Sequence, residues 1–137
     1  MLAESTIAAI RAVWDAVHSP SGLSFPAAVS RLSALNVNRY RIDYITSTAT
    51  VYIGTEVDVA PIPSHISLAS TLPWDSTKLV AAVRNAQAGV GNYEDFAKAA
   101  IGAGVTDYTT YLEGKRVVYC GGLGDCHTEW FPGAKKD

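Results

Sequence analysis

An internal repeat constrains the fold of this chain more than any other feature of its sequence. Residues 25–40 align with residues 93–108 without a gap, so that Tyr40 matches Tyr108. Two flanking segments match as well: Ile7-Ala8-Ala9-Ile10-Arg11 with Val80-Ala81-Ala82-Val83-Arg84, and Thr50-Val51-Tyr52 with Val117-Val118-Tyr119. Self-similarity of this kind indicates duplicated structural units. A chance resemblance between two αβ stretches is the alternative, but the matched positions serve the same physical roles.

Matching residues start and stop the predicted helices of the two copies. Ser24 and Asn92 precede the second helix of each copy, and both residue types cap helix N-termini through a side-chain oxygen. Asn36 and Gly104 follow the apolar stripes of these helices at equivalent positions. Because Asn and Gly enter the left-handed conformation most readily, they are predicted to close the two helices.

The apolar period changes from helical to two after each of these stops. Tyr40, Ile42 and Tyr44 alternate with polar residues, which is typical of a half-buried strand. Each copy then has a return strand and a third strand, the latter predicted at residues 56–60, with 65–70 as a further candidate, and at 126–131.

These elements predict an α+β fold. Two tandem helix–helix–hairpin repeats, at about residues 5–60 and 76–131, are expected to share an antiparallel sheet with the helices packed on one face. One copy alone could not bury its apolar stripe. Residues 1–137 are therefore expected to form a single domain.

Composition and charge restrict the partners of the chain. Its 137 residues include 11 Lys plus Arg and 13 Asp plus Glu, for a net charge of −2. This balance gives no positive field for nucleic acid or an anionic membrane. No apolar run could span a bilayer and no secretory peptide is recognised, so a cytoplasmic location is expected. Two cysteines are too few for a disulfide framework, and no cofactor or metal is expected.

A further set of residues resembles the signature of a known family. It comprises Gln87-Ala88-Gly89, Tyr93, Phe96, Ala100 and Gly104-Val105. Other positions extend it: Phe25-Pro26, Leu32, Val37 to Tyr40, Tyr52 with Gly54, and Glu129-Trp130-Phe131-Pro132. The chain is thus similar, over most of its length, to the bacterial and phage-associated domain of unknown function 1398, sometimes labelled phage envelope protein. The resemblance implies no activity and no catalytic residues. The chain departs from the family pattern at Asn36, where Gly is usual, and in the Gly-rich turn between Cys120 and Cys126.

The C-terminal hairpin carries the most reactive side chains. Cys126, His127 and Glu129, with His65 from the linker, are the candidates for catalysis, since a thiolate nucleophile needs a nearby base. Adjacent strand residues point to opposite faces, which weakens a Cys126–His127 pair. Cys120 and Cys126 flank the turn and could face each other. They are predicted to be inert strand cysteines, with a redox pair or a metal site as the alternatives.

Tyrosines are frequent in the predicted sheet. Tyr40, Tyr44, Tyr108 and Tyr111 are candidate binding residues, because tyrosine suits ligand and protein surfaces. Packing in the core and across strands is the favoured explanation for the group. Stacking on nucleic acid bases is excluded by the lack of a basic surround.

Two residues near the end of the third helix are predicted to have structural roles. Gly89 is expected to close this helix in the left-handed conformation. Gln87 is expected to brace the connection by bonding a free carbonyl of the helix end and a backbone N–H of the next turn.

The sequence leaves three functions open. The leading hypothesis is a non-enzymatic binding or regulatory module that uses the sheet face or the groove between the copies. Its partner would be a small molecule or a protein, with a homodimer left open. A small enzyme of hydrolase type, using Cys126, His127 and Glu129, is the second hypothesis. A phage structural protein is the third, and it depends on the family label alone.

Overall fold

The computed structural model of the protein describes residues 1–63, 65–66, 68 and 71–134. It contains four helices and six strands in the order helix, helix and three strands, which occurs twice. The helices are α1 Glu4–Val17, α2 Phe25–Ala34, α3 Ser76–Gln87 and α4 Tyr93–Gly102. The strands are β1 Arg39–Asp43, β2 Thr48–Ile53, β3 Glu56–Pro61, β4 Val105–Tyr111, β5 Arg116–Gly121 and β6 Cys126–Trp130. The α+β class and the repeat are therefore as predicted.

The six strands form one antiparallel sheet in the order β3-β2-β1-β4-β5-β6. Each copy contributes one half of the sheet, and β1 and β4 join the halves at the centre. In this junction Arg39 lies opposite Tyr111 and Asp43 lies opposite Asp107. Outward from the junction, the strands of the first copy follow in the order β1, β2, β3 and those of the second copy in the order β4, β5, β6. A pseudo-twofold axis therefore passes between β1 and β4.

The two helix stops confirm the prediction made for them. Asn36 has φ 64° and Gly104 has φ 93°, both in the left-handed region. At the first stop the Val37 N–H donates to the Leu32 carbonyl over 3.1 Å, which satisfies a carbonyl of the helix end. The second stop is more crowded, because a Cβ at Gly104 would lie 2.6 Å from the Pro73 carbonyl oxygen. Only glycine fits there, whereas Asn36 is exposed and has room for a side chain.

The N-terminal caps also form as predicted. The Ser24 hydroxyl accepts a hydrogen bond from the Ala27 N–H over 3.3 Å. Asn92 and Asp95 form a reciprocal capping box at the start of α4, with bonds of 2.9 and 3.1 Å. These caps fix where each helix begins relative to the strand that follows it.

The third strands agree with the predicted positions, apart from the second candidate segment in the first copy. β3 ends at Pro61, and the described residues of the segment 65–70, which are His65, Ile66 and Leu68, belong to no strand. Residues 64, 67, 69 and 70 lie outside the described part of the chain. Ile66 is buried in the core, so the linker between the copies closes part of the hydrophobic interior.

One face of the sheet carries the core. Its strand residues share a single cluster with the buried residues of all four helices, among them Leu32 and Leu79. The opposite face, called here the open face, has no buried residue among the strand positions that the structure describes. Its strand residues are Arg39, Arg41, Asp43, Thr48, Thr50, Tyr52, Val57, Val59, Pro61, Asp107, Thr109, Tyr111, Arg116, Val118, Cys120, Cys126, Thr128 and Trp130.

Candidate functional site

Arginine and aromatic side chains alternate along one row of the open face. The strand register places them opposite one another, so the row crosses five strands from β2 to β6. In spatial order the row, called here the Arg–aromatic row, is Tyr52, Arg39, Tyr111, Arg116 and Trp130. Since neighbouring strands lie about 5 Å apart, each side chain is in contact range of the next.

Both arginines of the row are stacked on its outer rings. The Arg39 guanidinium lies 4.3 Å from the centre of the Tyr52 ring, and that of Arg116 lies 4.3 Å from the centre of the Trp130 ring. A stacked guanidinium still has its N–H donors free at the edge of the plane. Within the described part of the chain, neither arginine forms an ion pair with a carboxylate.

A groove of about 490 Å³ opens at the centre of the row, where Tyr111 lies between Arg39 and Arg116. The groove is lined by Asn38, Arg39, Tyr111, Glu113, Gly114, Arg116 and Val118. No ring or guanidinium stacks on Tyr111 among the described residues. Its ring is therefore available to a flat ligand, with a cation on each side.

The other end of the β1–β4 junction is acidic. Asp43 lies opposite Asp107, and the Arg41 guanidinium contacts their carboxylates over 3.2 and 3.3 Å. Burial raises the pKa of Asp43, but the N–H groups of Thr46 and Ile45 and the Arg41 guanidinium together lower it below its ordinary value. One guanidinium cannot balance two carboxylates, so this end of the junction keeps a net negative charge. The open face thus presents unpaired positive charge at one end only.

The pseudo-twofold axis explains why the two ends differ. The repeat makes Arg39 equivalent to Asp107, and Asp43 equivalent to Tyr111. The axis therefore exchanges the pair Arg39–Tyr111 with the pair Asp107–Asp43. Symmetric backbone geometry carries different side chains at the two ends, and the groove lies at the Arg39–Tyr111 end.

Three of the four candidate tyrosines lie in the core. Tyr40, Tyr44 and Tyr108 are 4%, 0% and 5% exposed, and only Tyr111 points to the open face. The Tyr93 hydroxyl joins those of Tyr44 and Tyr108 over 3.1 and 2.7 Å. Burial raises the pKa of all three core tyrosines above the ordinary value. Packing in the core accounts for these three tyrosines, which is the explanation that the sequence favoured. Tyr111 remains the binding candidate.

The C-terminal hairpin divides its reactive side chains between the two faces. Cys126 is exposed on the open face, whereas His127 lies opposite Tyr119 on the core face. The His127 Nε2 atom is 3.5 Å from Glu129 Oε2, and Glu129 is also paired with Arg84. A second groove of about 460 Å³ at the β6 edge is lined in part by Arg84, His127 and Glu129. No cysteine is among the residues that line this groove.

His65 lies apart from the hairpin groove. It is 61% exposed, and its Nε2 atom is 3.3 Å from a carboxylate oxygen of Glu94, at the start of α4. His65 is not among the residues that line the groove at β6. The groove at β6 therefore does not bring His65 or Cys126 together with His127 and Glu129.

Gln87 makes a different contact from the predicted one. Its Oε1 accepts a hydrogen bond from Arg84 over 2.9 Å, and no bond to the backbone of the connection is present among the described residues. The connection needs no brace because Gly89, with φ 75°, closes α3 as expected. Its neighbour Val90 donates to the Asn85 carbonyl over 2.9 Å, which satisfies the helix end.

Of the Arg–aromatic row, Tyr111 alone was among the candidate binding residues chosen from the sequence. Tyr52 and Trp130 were named for the family resemblance, and Arg39 and Arg116 were given no role. Their signal was the alternation of the strands, which puts each of them on the polar face. What the sequence lacked was the register between strands, because only the register puts the five side chains in one line.

No helix in the described ranges has the length and apolar character needed to cross a membrane. Over the same part of the chain, no three His, Cys, Asp or Glu side chains come together in a way that could hold a metal ion.

The family described as Protein of unknown function (DUF1398) matches residues 12–127 of the chain. The matched region begins within α1 and ends within β6, so it includes Arg39, Tyr111 and Arg116. The resemblance drawn from the sequence is confirmed. No curated protein matches the chain.

Proposed function

Because the chain belongs to the DUF1398 family, whose description names no activity, we propose a function from its own geometry. The protein is a non-enzymatic binding module. Its open sheet face binds a small molecule that combines a flat ring with one anionic group, such as a carboxylate. The ligand lies in the groove above Tyr111, between the guanidinium groups of Arg39 and Arg116.

The observation that supports this proposal most strongly is the position of Tyr111. It lies between Arg39 and Arg116, each of which stacks on a ring at its other side. An exposed aromatic ring offers a ligand ring a stacking partner, and stacked rings gain about 0.5–1.5 kcal/mol beyond the burial of their area. The edge N–H groups of a guanidinium match the two oxygens of a carboxylate. With Arg39 and Arg116 held by Tyr52 and Trp130, the cations lose little side-chain freedom on binding.

The size of the groove supports a small ligand. Its volume of about 490 Å³ falls within the range of about 300–1,000 Å³ that is typical of small-molecule sites. The sheet on which it lies is preformed, because the strands of the row are hydrogen-bonded to their neighbours. A preformed groove of this kind can bind a ligand without rearranging the backbone.

The carboxylate of Glu113 favours a ligand with a single negative charge over one with several. Its carboxylate lines the groove and accepts a hydrogen bond from Asn38 Nδ2 over 3.3 Å. A polyphosphate would bring several charges close to this carboxylate, and like charges repel. The net charge of −2 also disfavours a nucleic acid strand.

Calorimetric titration with indole-3-acetate, and with its neutral amide as the comparison, tests the proposal. We expect indole-3-acetate to bind and the amide to bind about tenfold more weakly, because the amide lacks a charge-assisted hydrogen bond of about 1.5 kcal/mol or more. The variants Arg39→Gln and Arg116→Gln should each lose this preference.

Arg31→Gln is the matched control. Arg31 is an exposed arginine of α2, so this substitution removes the same charge at a position away from the open face. It should leave the affinity and the preference unchanged. Equal binding of acid and amide, or equal loss in all three variants, would contradict the proposed site.

A further inference from the structure

Cys120 and Cys126 face each other across the β5–β6 hairpin. We propose that these two thiols form a reversible redox pair, which closes to an intramolecular disulfide by exchange with a low-molecular-weight disulfide such as oxidised glutathione. The inference depends on the strand register and on the exposure of the two thiols, and it is independent of the proposed ligand.

The register gives the two cysteines the right spacing. They are direct partners in the antiparallel pairing of β5 with β6. The next pair towards the turn is hydrogen-bonded, since the Gly121 N–H donates to the Asp125 carbonyl over 2.8 Å. Because hydrogen-bonded and non-hydrogen-bonded pairs alternate, Cys120 and Cys126 form a non-hydrogen-bonded pair, in which the Cα atoms lie about 4.5 Å apart. That spacing is within the range of about 4.4–6.8 Å found for disulfides.

The two thiols differ in accessibility, which assigns them different roles. Cys126 is exposed and is reached first by a dissolved disulfide. Cys120 is half-buried, beside Asp107 on the neighbouring strand. Burial first, then the negative charge of Asp107, raises the pKa of the Cys120 thiol. Cys120 is therefore slow to react with a reagent in solution, but it lies directly opposite Cys126 and can resolve a mixed disulfide formed there.

The exchange balances in two steps. The Cys126 thiolate attacks one sulfur of oxidised glutathione, which forms a mixed disulfide and releases one glutathione thiolate that takes up a proton. Cys120 then loses its proton and attacks the Cys126 sulfur, which breaks the mixed disulfide and releases the second glutathione. Two electrons pass from the protein to the oxidant, and two molecules of reduced glutathione result.

The disulfide is expected to be easy to reduce. Cys126 is exposed, so a dissolved thiol reaches the sulfur of the bond, and exposed disulfides are the labile ones. The short turn Gly121-Gly122-Leu123-Gly124-Asp125 limits the stability that the bond adds to the fold. The bond is therefore expected to open again when reduced glutathione predominates.

The test equilibrates the full chain with mixtures of oxidised and reduced glutathione, quenches exchange with acid and alkylates the denatured protein for mass spectrometry. We expect both alkylation sites to disappear together as the mixture becomes more oxidising, with the mass falling by two hydrogens and no stable glutathione adduct. Addition of excess reduced glutathione should restore both sites.

Two variants separate the roles of the cysteines. Cys120→Ser should accumulate the glutathione adduct at Cys126, because no resolving thiol is left. Cys126→Ser should form its adduct on Cys120 at least about tenfold more slowly, because that thiol is half-buried. Circular dichroism checks that both variants remain folded.

The wild-type protein decides the result without reference to the variants. Two alkylatable thiols that persist in the most oxidising mixture, a stable adduct on wild-type protein, or disulfide-linked dimers in place of the internal bond would each overturn the proposal.

Discussion

Arg39 and Tyr111 lie opposite each other across the β1–β4 junction, where the first repeat meets the second. Their equivalents under the pseudo-twofold axis are Asp107 and Asp43, which both pair with Arg41. Because the backbone is duplicated, the β1–β4 junction has two ends of similar geometry. Their side chains differ, and one end carries an arginine, an aromatic ring and the groove. The proposed ligand site depends on this difference between the copies.

Replacing Tyr111 by Ser should abolish most ligand binding without unfolding the protein. The ring is only half-buried and lies on the open face, so its removal leaves no cavity in the core. Loss of the stacking partner should weaken the binding of indole-3-acetate by about tenfold. Tyr111→Phe is the control, because it keeps the ring and removes the hydroxyl. Weakening of the same size in both variants would show that the hydroxyl, and not stacking, carries the interaction.

The two helix stops should respond differently to alanine. Gly104→Ala combines a positive φ with a Cβ that would lie 2.6 Å from the Pro73 carbonyl oxygen, so we expect a loss of at least about 2 kcal/mol in the free energy of unfolding. Asn36→Ala has only the strain of positive φ and should lose about 1 kcal/mol. Urea denaturation measures both, and equal losses would mean that the linker contact at Gly104 is unimportant.

Alkaline pH should destabilise the protein. Burial raises the pKa of Tyr44, Tyr108 and Tyr119 above the value of about 10 that tyrosine has in unfolded chains. The folded state therefore holds these protons more tightly, and the stability is fully present below about pH 10 and decreases above it. Each buried tyrosine adds up to about 1.4 kcal/mol of loss per pH unit.

Urea midpoints measured from about pH 8 to about pH 11 test this dependence, with tyrosinate absorbance followed in the same samples. Tyr44→Phe provides the comparison, since it removes one buried ionisable group and should flatten the alkaline decline. Tyrosinate absorbance equal to that of the unfolded chain, in protein that is still folded, would contradict the burial of these hydroxyls.

Gln87→Ala should have almost no effect on stability. Gln87 is exposed and bonds only to the Arg84 side chain among the described residues, so the free energy of unfolding should change by less than about 0.5 kcal/mol. Gly89→Ala is the contrasting variant in the same connection. Its φ of 75° should make alanine cost about 1 kcal/mol. A loss at Gln87 as large as that at Gly89 would restore the bracing role.

Local signals in the sequence were sufficient for the helices and strands. Ser24, Asn92, Asn36 and Gly104 act through their own backbone neighbourhood, so their types predict where helices begin and end. Alternation along a strand likewise separates core residues from open-face residues. The duplication then predicts that both halves have the same order of elements.

The candidate site could not be predicted in this way, because it depends on contacts between distant strands. Arg39 meets Tyr111 only through the β1–β4 register, and Arg116 meets Trp130 only through that of β5 and β6. The expected brace at Gln87 failed for the same reason. The Gln87 side chain bonds to Arg84, and Arg84 in turn pairs with Glu129 on β6.

Backbone amide chemical shifts, recorded while indole-3-acetate is added to isotope-labelled protein, locate the bound ligand. If the ligand binds between the two arginines, saturable shift changes should centre on Arg39, Tyr111 and Arg116, and the amides of His127 and Glu129 should stay in place. The two grooves share no lining residue, so their amides report separately. Changes centred on His127 and Glu129, or no saturable change at Tyr111, would contradict the account.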